Sequence, residues 1–142
     1  MPNLVVDSSV AVKWFIVEPH SAEARRILDD YQNGALSFLA PDLIYAEFGN
    51  VIWKKHLFQG LAAVDAQNII TTFRALRFTI TPAEFLLENA YNVAVMHRQT
   101  VYDSLYLALS LRENCQLVTA DEMFVKAVGA TFPNLVGLAN WL

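Results

Sequence analysis

The stretch that decides the fold is residues 4–15, which read LVVDSSVAVKWF. Three apolar residues run into Asp7, two serines follow, and an apolar stretch at helical spacing comes next. A strand that passes directly into a helix needs a turn, and Asp7 or Ser8 can cap such a helix through a side-chain oxygen. The stretch therefore predicts a strand over residues 3–6 and a helix over residues 9–16.

The same pattern returns near the other end of the chain, where residues 117–124 read LVTADEMF and an apolar pair leads to Asp121. Between the two copies, short apolar segments alternate with amphipathic ones. The further predicted strands are LSFLAP, RFTI, QLVT and NLVGL. The further predicted helices cover residues 19–34, 41–60, 62–76, 81–98, 101–115 and 121–128. Short apolar strands separated by helices are typical of a parallel sheet covered on both faces. We therefore expect an α/β fold, a three-layer α/β/α sandwich with a central, mainly parallel sheet, in a single domain over residues 1–142.

Several helix ends carry recognisable signals. Ser21 is predicted to be an N-cap, and Pro41 is predicted to lie in the first turn of the long helix. Thr81 and Glu84 have the spacing of a capping box, with Pro82 at the first helical position. The helix that starts at residue 101 is apolar on nearly every side, so we expect it to be buried.

Composition excludes several classes of protein. One cysteine among 142 residues excludes a disulfide framework and a cysteine zinc cluster. No apolar run is long enough to span a bilayer, and the start MPNLVVD lacks the basic region of a signal peptide, so we expect a cytoplasmic protein with no membrane partner. The net charge of −4 argues against a surface that holds duplex DNA through many phosphates.

Four of the 14 acidic residues stand in apolar surroundings, where an unpaired carboxylate is costly. Asp7 and Asp121 end buried strands, and both fall at the carboxyl edge of the expected sheet, where ligands bind in such folds. Glu47 lies inside LIYAEFGNVIW, and Asp103 lies in the first turn of VYDSLYLALSL. The other ten have ordinary roles in helix starts, polar faces or turns.

Each of the four also has an ordinary explanation. Glu47, Asn50 and Lys54 share one stripe of a helix, so a surface pair between Glu47 and Lys54 is possible on spacing alone. Asp103 is favoured by the free N–H groups of a helix N-terminus, which makes plain capping an alternative.

Together, however, the four carboxylates predict one site. Two at strand ends and two on flanking helices can converge, and they would then repel one another strongly. A hard divalent cation such as Mg²⁺ resolves that repulsion, because it prefers oxygen ligands and binds through a few carboxylates and substrate phosphate. Without these four, acidic and basic residues are equal in number, so the whole net charge can reside in the site.

These residues also resemble a known family. LVVDSSVAVKWF, PDLIYAEFGNVIW, VYDSLYLALS and LVTADEMF, in that order, resemble the PIN domain. The likeness is strongest to the VapC-type ribonuclease toxins of prokaryotic toxin–antitoxin pairs, and it covers the whole chain. The resemblance implies a Mg²⁺- or Mn²⁺-dependent ribonuclease that is frequently a homodimer, acts on RNA, and is covered by a small antitoxin protein.

The resemblance also implies roles for single residues. Asp7, Asp103 and Asp121 are the expected metal ligands, and Glu47 either binds metal or positions the attacking water; these four are the expected catalytic set. Ser9 and Thr119 correspond to small polar residues that orient carboxylates or metal-bound water, and Asn50 matches a frequent Glu-x-x-Asn pattern. Lys13 and Lys54 are candidate phosphate contacts, with ordinary solvated lysines as the alternative.

Other classes remain open from the residues alone. A receiver-type signalling module also has an acidic pocket at the ends of a parallel sheet, but it carries paired acids after the first strand and a Lys near the last. A haloacid-dehalogenase phosphatase requires Asp-x-Asp where this chain has Asp-Ser-Ser. A non-catalytic metal-binding module, an RNA-maturation enzyme and a nuclease for single-stranded DNA are the remaining alternatives.

Overall fold

The computed structural model describes residues 2–142. Its strands are β1 (Asn3–Val6), β2 (Ser37–Pro41), β3 (Thr79–Thr81), β4 (Gln116–Thr119) and β5 (Leu135–Gly137). Its α-helices are α1 (Ser8–Val12), α2 (Ser21–Gln32), α3 (Leu43–Gln59), α4 (Ala63–Ala75), α5 (Leu87–His97), α6 (Val101–Arg112) and α7 (Glu122–Val128). Short 3-10 helices span Ala83–Phe85 and Leu138–Asn140. None of the helices within residues 2–142 has the length and apolar character needed to cross a bilayer.

The strands form one sheet in the order β3-β2-β1-β4-β5, and every neighbouring pair is parallel. The chain moves outward from β1 through β2 to β3, then returns to the other side of β1 for β4 and β5. Because parallel crossovers are right-handed, the two directions place α1–α4 on one face and α5–α7 on the other. This confirms the predicted three-layer α/β/α sandwich, with a switch in strand order between β1 and β4.

The core explains why the sheet forms in this order. Leu4, Val5 and Val6 of β1 are buried, as expected for a central strand covered on both faces. Helix α6 is buried without interruption from Ser104 to Ser110, which confirms the prediction from its apolar sequence.

Two predicted helix starts are wrong, the first because of a local turn and the second because of pairing in the sheet. Ser21 is the first residue of α2, not its cap; its hydroxyl instead bonds the backbone of Ile16 and Glu18 in the preceding turn. Pro41 ends β2, and α3 begins at Leu43. Sheet pairing holds Pro41 in an extended conformation, so the helix starts two residues later.

The predicted capping box at residues 81–84 is also wrong. Thr81 ends β3 and pairs with β2, so its backbone cannot open a helix. After Pro82 the chain makes the short 3-10 helix that contains Glu84, and α5 begins only at Leu87. Helix α1 is likewise shorter than predicted, because i→i+3 bonds turn the chain from Lys13 onward.

Candidate active site

Asp7 stands at the centre of the site, at the junction of β1 and α1. Its carboxylate caps α1 by accepting from the N–H of Val10 at 3.3 Å. The same oxygen, Oδ1, accepts from the Ser9 hydroxyl at 2.5 Å, and Oδ2 accepts from the Thr119 hydroxyl. Burial raises the pKa of Asp7 to about 6, although these hydrogen bonds favour the charged form; the nearby charge of Asp103 raises it further.

Two hydroxyls join the ends of β1 and β4. Thr119 is buried at the end of β4, and its Oγ1 accepts from the N–H of Asp121 at 3.1 Å while it donates to Asp7. Ser9 Oγ accepts from the N–H of Ala120 at 3.0 Å while it also donates to Asp7. The structure therefore places Ser9 and Thr119 where each holds the Asp7 carboxylate against the neighbouring strand.

Glu47 reaches the site from α3 and is fixed by two hydroxyls. Its Oε1 accepts from the Tyr106 hydroxyl at 2.5 Å and from the Ser8 hydroxyl at 3.3 Å. Within residues 2–142 both side-chain donors use Oε1, so Oε2 stays available to a ligand. Partial burial raises the pKa of Glu47, as does the charge of Asp103, although the two hydroxyls favour the carboxylate.

Tyr106 and Ser8 were not among the predicted site residues. Tyr106 lies three residues after Asp103, on the same side of α6, and that spacing is the signal that could have identified it. Its ring is buried with the rest of α6, so the sequence indicates only a core aromatic residue. Burial and the charge of Glu47 raise the pKa of Tyr106, so the phenol stays protonated and donates.

Asp103 interacts electrostatically with each of the other three carboxylates. It lies in the first turn of α6, but Thr100 is the cap of this helix: the Thr100 hydroxyl accepts from the N–H of Asp103 at 3.1 Å. Burial raises the pKa of Asp103, and the charge of Asp121 raises it further. The charge of Asp103 acts on Asp7 and Glu47 in the same direction. The carboxylates are thus close enough to repel one another.

Asp121 has the same local geometry as Asp7. It caps α7 by accepting from the N–H of Phe124 at 3.1 Å, and it lies on the exposed side of the site. Capping and convergence are therefore not alternatives here, because both strand-terminal carboxylates cap a helix and face the same cluster.

The donor set fits a hard divalent cation that keeps part of its water. It consists of carboxylate and hydroxyl oxygens, which Mg²⁺ and Mn²⁺ prefer. Within residues 2–142, no three carboxylate, imidazole or thiol groups lie close enough together to hold one ion directly. Mg²⁺ sites commonly use one or two carboxylates and several waters, which suits carboxylates that sense one another's charge at a greater separation.

Within residues 2–142, the remaining predicted residues make no hydrogen bond or ion pair with the four carboxylates. Asn50 and Lys54 are exposed on α3. Lys13 pairs with Glu18 at 3.3 Å, and Glu18 also pairs with Lys55 at 3.0 Å. Partial burial opposes ionisation of Glu18, but the hydrogen bonds and charges of both lysines leave its pKa below the usual value. Lys13 therefore links the end of α1 to α3 through Glu18.

Comparison with known proteins agrees with this geometry. The family model of the PIN domain matches residues 4–129. Ribonuclease VapC3 of Pyrobaculum aerophilum is 33% identical over 139 residues, which cover 94% of this chain and 98% of the relative. An acidic, metal-fitting site at the switch point of a parallel sheet, together with this match, defines the class: the chain belongs to the PIN-domain family.

Solved structures share the fold. A toxin–antitoxin complex from Klebsiella pneumoniae superposes with a TM-score of 0.64 at 16% identity, covering 95% of this chain and 97% of that one. VapC20 of Mycobacterium tuberculosis, a Sarcin-Ricin loop cleaving toxin, superposes with a TM-score of 0.65 at 14% identity, covering 87% and 94%. Family membership favours the nuclease alternatives over the receiver and haloacid-dehalogenase classes.

Proposed function

We propose that residues 1–142 form one nuclease domain, a metal-dependent endoribonuclease that hydrolyses RNA phosphodiester bonds. The observation that carries the proposal is the placement of Asp7, Glu47 and Asp121 around the charge of Asp103, at the switch point between β1 and β4. In open α/β sheets, ligands bind at this crevice beyond the carboxyl ends of the strands. The relatives named ribonuclease VapC support an RNA substrate.

The four carboxylates have two proposed roles, which follow from their contacts. Asp7, Asp103 and Asp121 hold Mg²⁺ or Mn²⁺, directly or through water, because their charges need a cation to offset them. When bound, the ion lowers the pKa of water and offsets charge on the phosphate. Glu47 Oε2, which accepts no hydrogen bond within residues 2–142, would either bind the ion or orient the attacking water, since Oε1 is held by Tyr106.

The experiment is cleavage of labelled single-stranded RNA and DNA of the same sequence, with Mn²⁺, with Mg²⁺ or with EDTA. We expect RNA to be cleaved only with a divalent ion, and Asp7→Asn to remove most of the activity. Asp42→Asn is the matched control, because Asp42 also follows a strand and precedes a helix but binds Ala83 N–H instead of the acidic cluster. Undiminished cleavage in excess EDTA would contradict the metal mechanism. Cleavage of the DNA without cleavage of the RNA would show that the substrate is DNA.

We further propose that the protein acts in the cytoplasm as the toxin of a toxin–antitoxin pair. The solved toxin–antitoxin complex with the same fold supports a small protein partner. An Arg or Lys of that partner would enter near Asp7 and Asp121, because a desolvated acidic cluster favours a charge-assisted pair. Expression of the active chain alone should stop growth, and expression of Asp7→Asn should not. Normal growth with an active enzyme favours RNA maturation.

We also propose a homodimer, for which the exposed end of α3 offers the surface. Trp53, Leu57 and Phe58 are each more than half exposed, although two of them make an edge-to-face contact with centroids 5.9 Å apart. Trp14, by contrast, is buried and stacks on Phe38, so it does not contribute to this surface. A monomer mass in light scattering at tens of micromolar would contradict the dimer.

A further inference from the structure

A cavity lies at the carboxyl edge of the sheet, one strand beyond the acidic site. It has a volume of about 240 Å³ and lies between α7 and the 3-10 helix that follows β5. The acidic site lies over β1 and β4, whereas this cavity lies over β4 and β5. Thr119 of β4, which holds Asp7, pairs with Gly137 of β5, which lines the cavity. Neighbouring strands are about 4.7–4.9 Å apart, so the cavity lies one strand from the end of β1, where Asp7 stands.

The chain also connects the cavity to the acidic site. Ala120 and Glu122 line the cavity, and they are the two neighbours of Asp121. The cavity is therefore lined by both chain neighbours of Asp121, the acidic residue that follows β4.

The lining combines apolar and polar residues. Val125 and Leu138 provide aliphatic walls, and Leu138 is buried. The polar groups are the amide of Asn140, the imidazole of His20, the carboxylate of Glu122 and the ammonium of Lys126. A nucleobase has the complementary character, with two apolar faces and an edge of hydrogen-bond donors and acceptors. An Asn amide offers one acceptor and two donors, and so can pair with both kinds of group on a base edge.

Gly137 keeps the cavity open. A Cβ at this position would lie 3.5 Å from Val125 Cγ2 and 3.9 Å from Asn140 Nδ2. The backbone does not require glycine here, because Gly137 has φ −71° and ψ 139°, which any residue adopts. The absence of a side chain at Gly137 therefore leaves room in the cavity and is not needed for the backbone conformation.

We propose that this cavity binds one base of the RNA substrate, next to the phosphodiester bond that is cleaved, and so sets a base preference at that position. The proposal rests on the ribonuclease function proposed above. The volume agrees with a single base, because pockets that enclose a drug-sized ligand measure about 300–1,000 Å³. The half-buried Val125 offers aliphatic surface to a face of the base, and the exposed Asn140 pairs with its edge.

The first test is sequencing of the products from a randomised single-stranded RNA cleaved by the wild type, Gly137→Ala and Gly137→Val. We expect the wild type to prefer one base at one position beside the cut. Gly137→Val should reduce that preference by at least about tenfold, since small volume changes in a pocket alter discrimination by 10–200-fold. Gly137→Ala, whose added Cβ makes only ordinary contacts, should reduce it less. Gly49→Ala, which meets open space on α3, is the control and should keep the wild-type profile. Identical profiles for all variants would overturn the proposal.

The second test does not depend on cleavage. Each of the four nucleoside 5′-monophosphates is titrated into the protein in EDTA, and the NMR signals of the Gly137 amide and the Asn140 side-chain amide are followed. We expect at least one nucleotide to shift both signals in the wild type and to bind Gly137→Val at least about tenfold more weakly. If the nucleotides shift these signals but the protein cleaves no RNA, the proposed ribonuclease function is wrong and the proposed base-binding site stands. Cleavage without shifts, and without a change in preference, would refute the base site and keep the ribonuclease.

Discussion

Asp7 and Asp42 begin from the same local sequence logic and end in different environments. Each follows a parallel strand of the same sheet and directly precedes a helix. Asp7 accepts hydrogen bonds from Ser9 and Thr119, and burial raises its pKa to about 6. Asp42 is exposed and accepts from the N–H of Ala83, at the start of the 3-10 helix after β3.

The difference lies in the strand order. Asp7 ends β1, whose neighbour β4 ends at Thr119 on the far side of the switch point. Asp42 follows β2, whose neighbour β3 leads into a short 3-10 helix on the near side. A carboxylate at a strand end therefore becomes part of a reactive cluster only where the crossover direction changes. Asp7 and Asp42 both accept from a backbone N–H, but only Asp7 also meets other carboxylates.

The largest effect should separate the two positions in activity. Asp7→Asn, Asp103→Asn and Asp121→Asn should each lower the rate of RNA cleavage by about 100-fold or more. Each removes a charge that holds the cation, and even the loss of groups around a metal ligand costs about 10–100-fold. Asp42→Asn should keep nearly full activity. Comparable losses at Asp42 and Asp7 in kcat/KM would show that the assay measures folding and not the site.

The next largest difference between Asp7 and Asp42 should appear in how the free energy of unfolding depends on pH. Because the pKa of Asp7 is raised from 3.8 to about 6, the folded state binds more protons than the unfolded state between these values. Stability from this group is complete below pH 4 and is lost as pH rises to about 6, by about 2–3 kcal/mol in EDTA. Urea unfolding over this range should show the loss in wild type and Asp42→Asn. In Asp7→Asn the slope should be smaller; an unchanged slope would place the titration elsewhere.

A smaller effect is expected at Tyr106, which positions Glu47 without being one of the carboxylates. Tyr106→Phe removes the donor to Glu47 Oε1 and should lower kcat by about 10–100-fold, with little change in KM. Tyr102→Phe is the matched control, because Tyr102 lies on the same helix and is 61% exposed. If both variants retain wild-type kcat, Glu47 needs no fixed orientation.

The smallest expected effects are on the free energy of unfolding, at Lys13 and Lys54, the two residues predicted to contact phosphate. Lys54 is exposed, so Lys54→Ala should change the free energy of unfolding by less than about 0.5 kcal/mol. Lys13 is mostly buried beside Glu18, so Lys13→Ala should cost more, because it removes one of two partners of that carboxylate. Thermal melts compare the two. An equal cost would mean that the contact with Glu18 contributes nothing to stability.

The sequence identifies the acidic residues that follow β1 and β4, but it does not identify the contacts between distant elements. Asp7 and Asp121 are identifiable because buried strands precede them, which is a local property of the chain. Tyr106 was missed because its partner Glu47 lies 59 positions earlier and meets it only after α3 and α6 have packed. Pro41 and Thr81 were misassigned for the same reason, since their pairing in the sheet overrides local helix signals.

The most direct test of the central account is the thermal stability of wild type and Asp103→Asn, each in EDTA and in Mn²⁺. Asp103 couples the other carboxylates, so Asp103→Asn should relieve repulsion and melt higher than the wild type in EDTA. Mn²⁺ at about 100 times its Kd should stabilise the wild type by about 2.7 kcal/mol, which is several degrees, and the variant by much less. Equal gains on adding Mn²⁺ would contradict the account, because Asp103 would then not belong to a shared cation site.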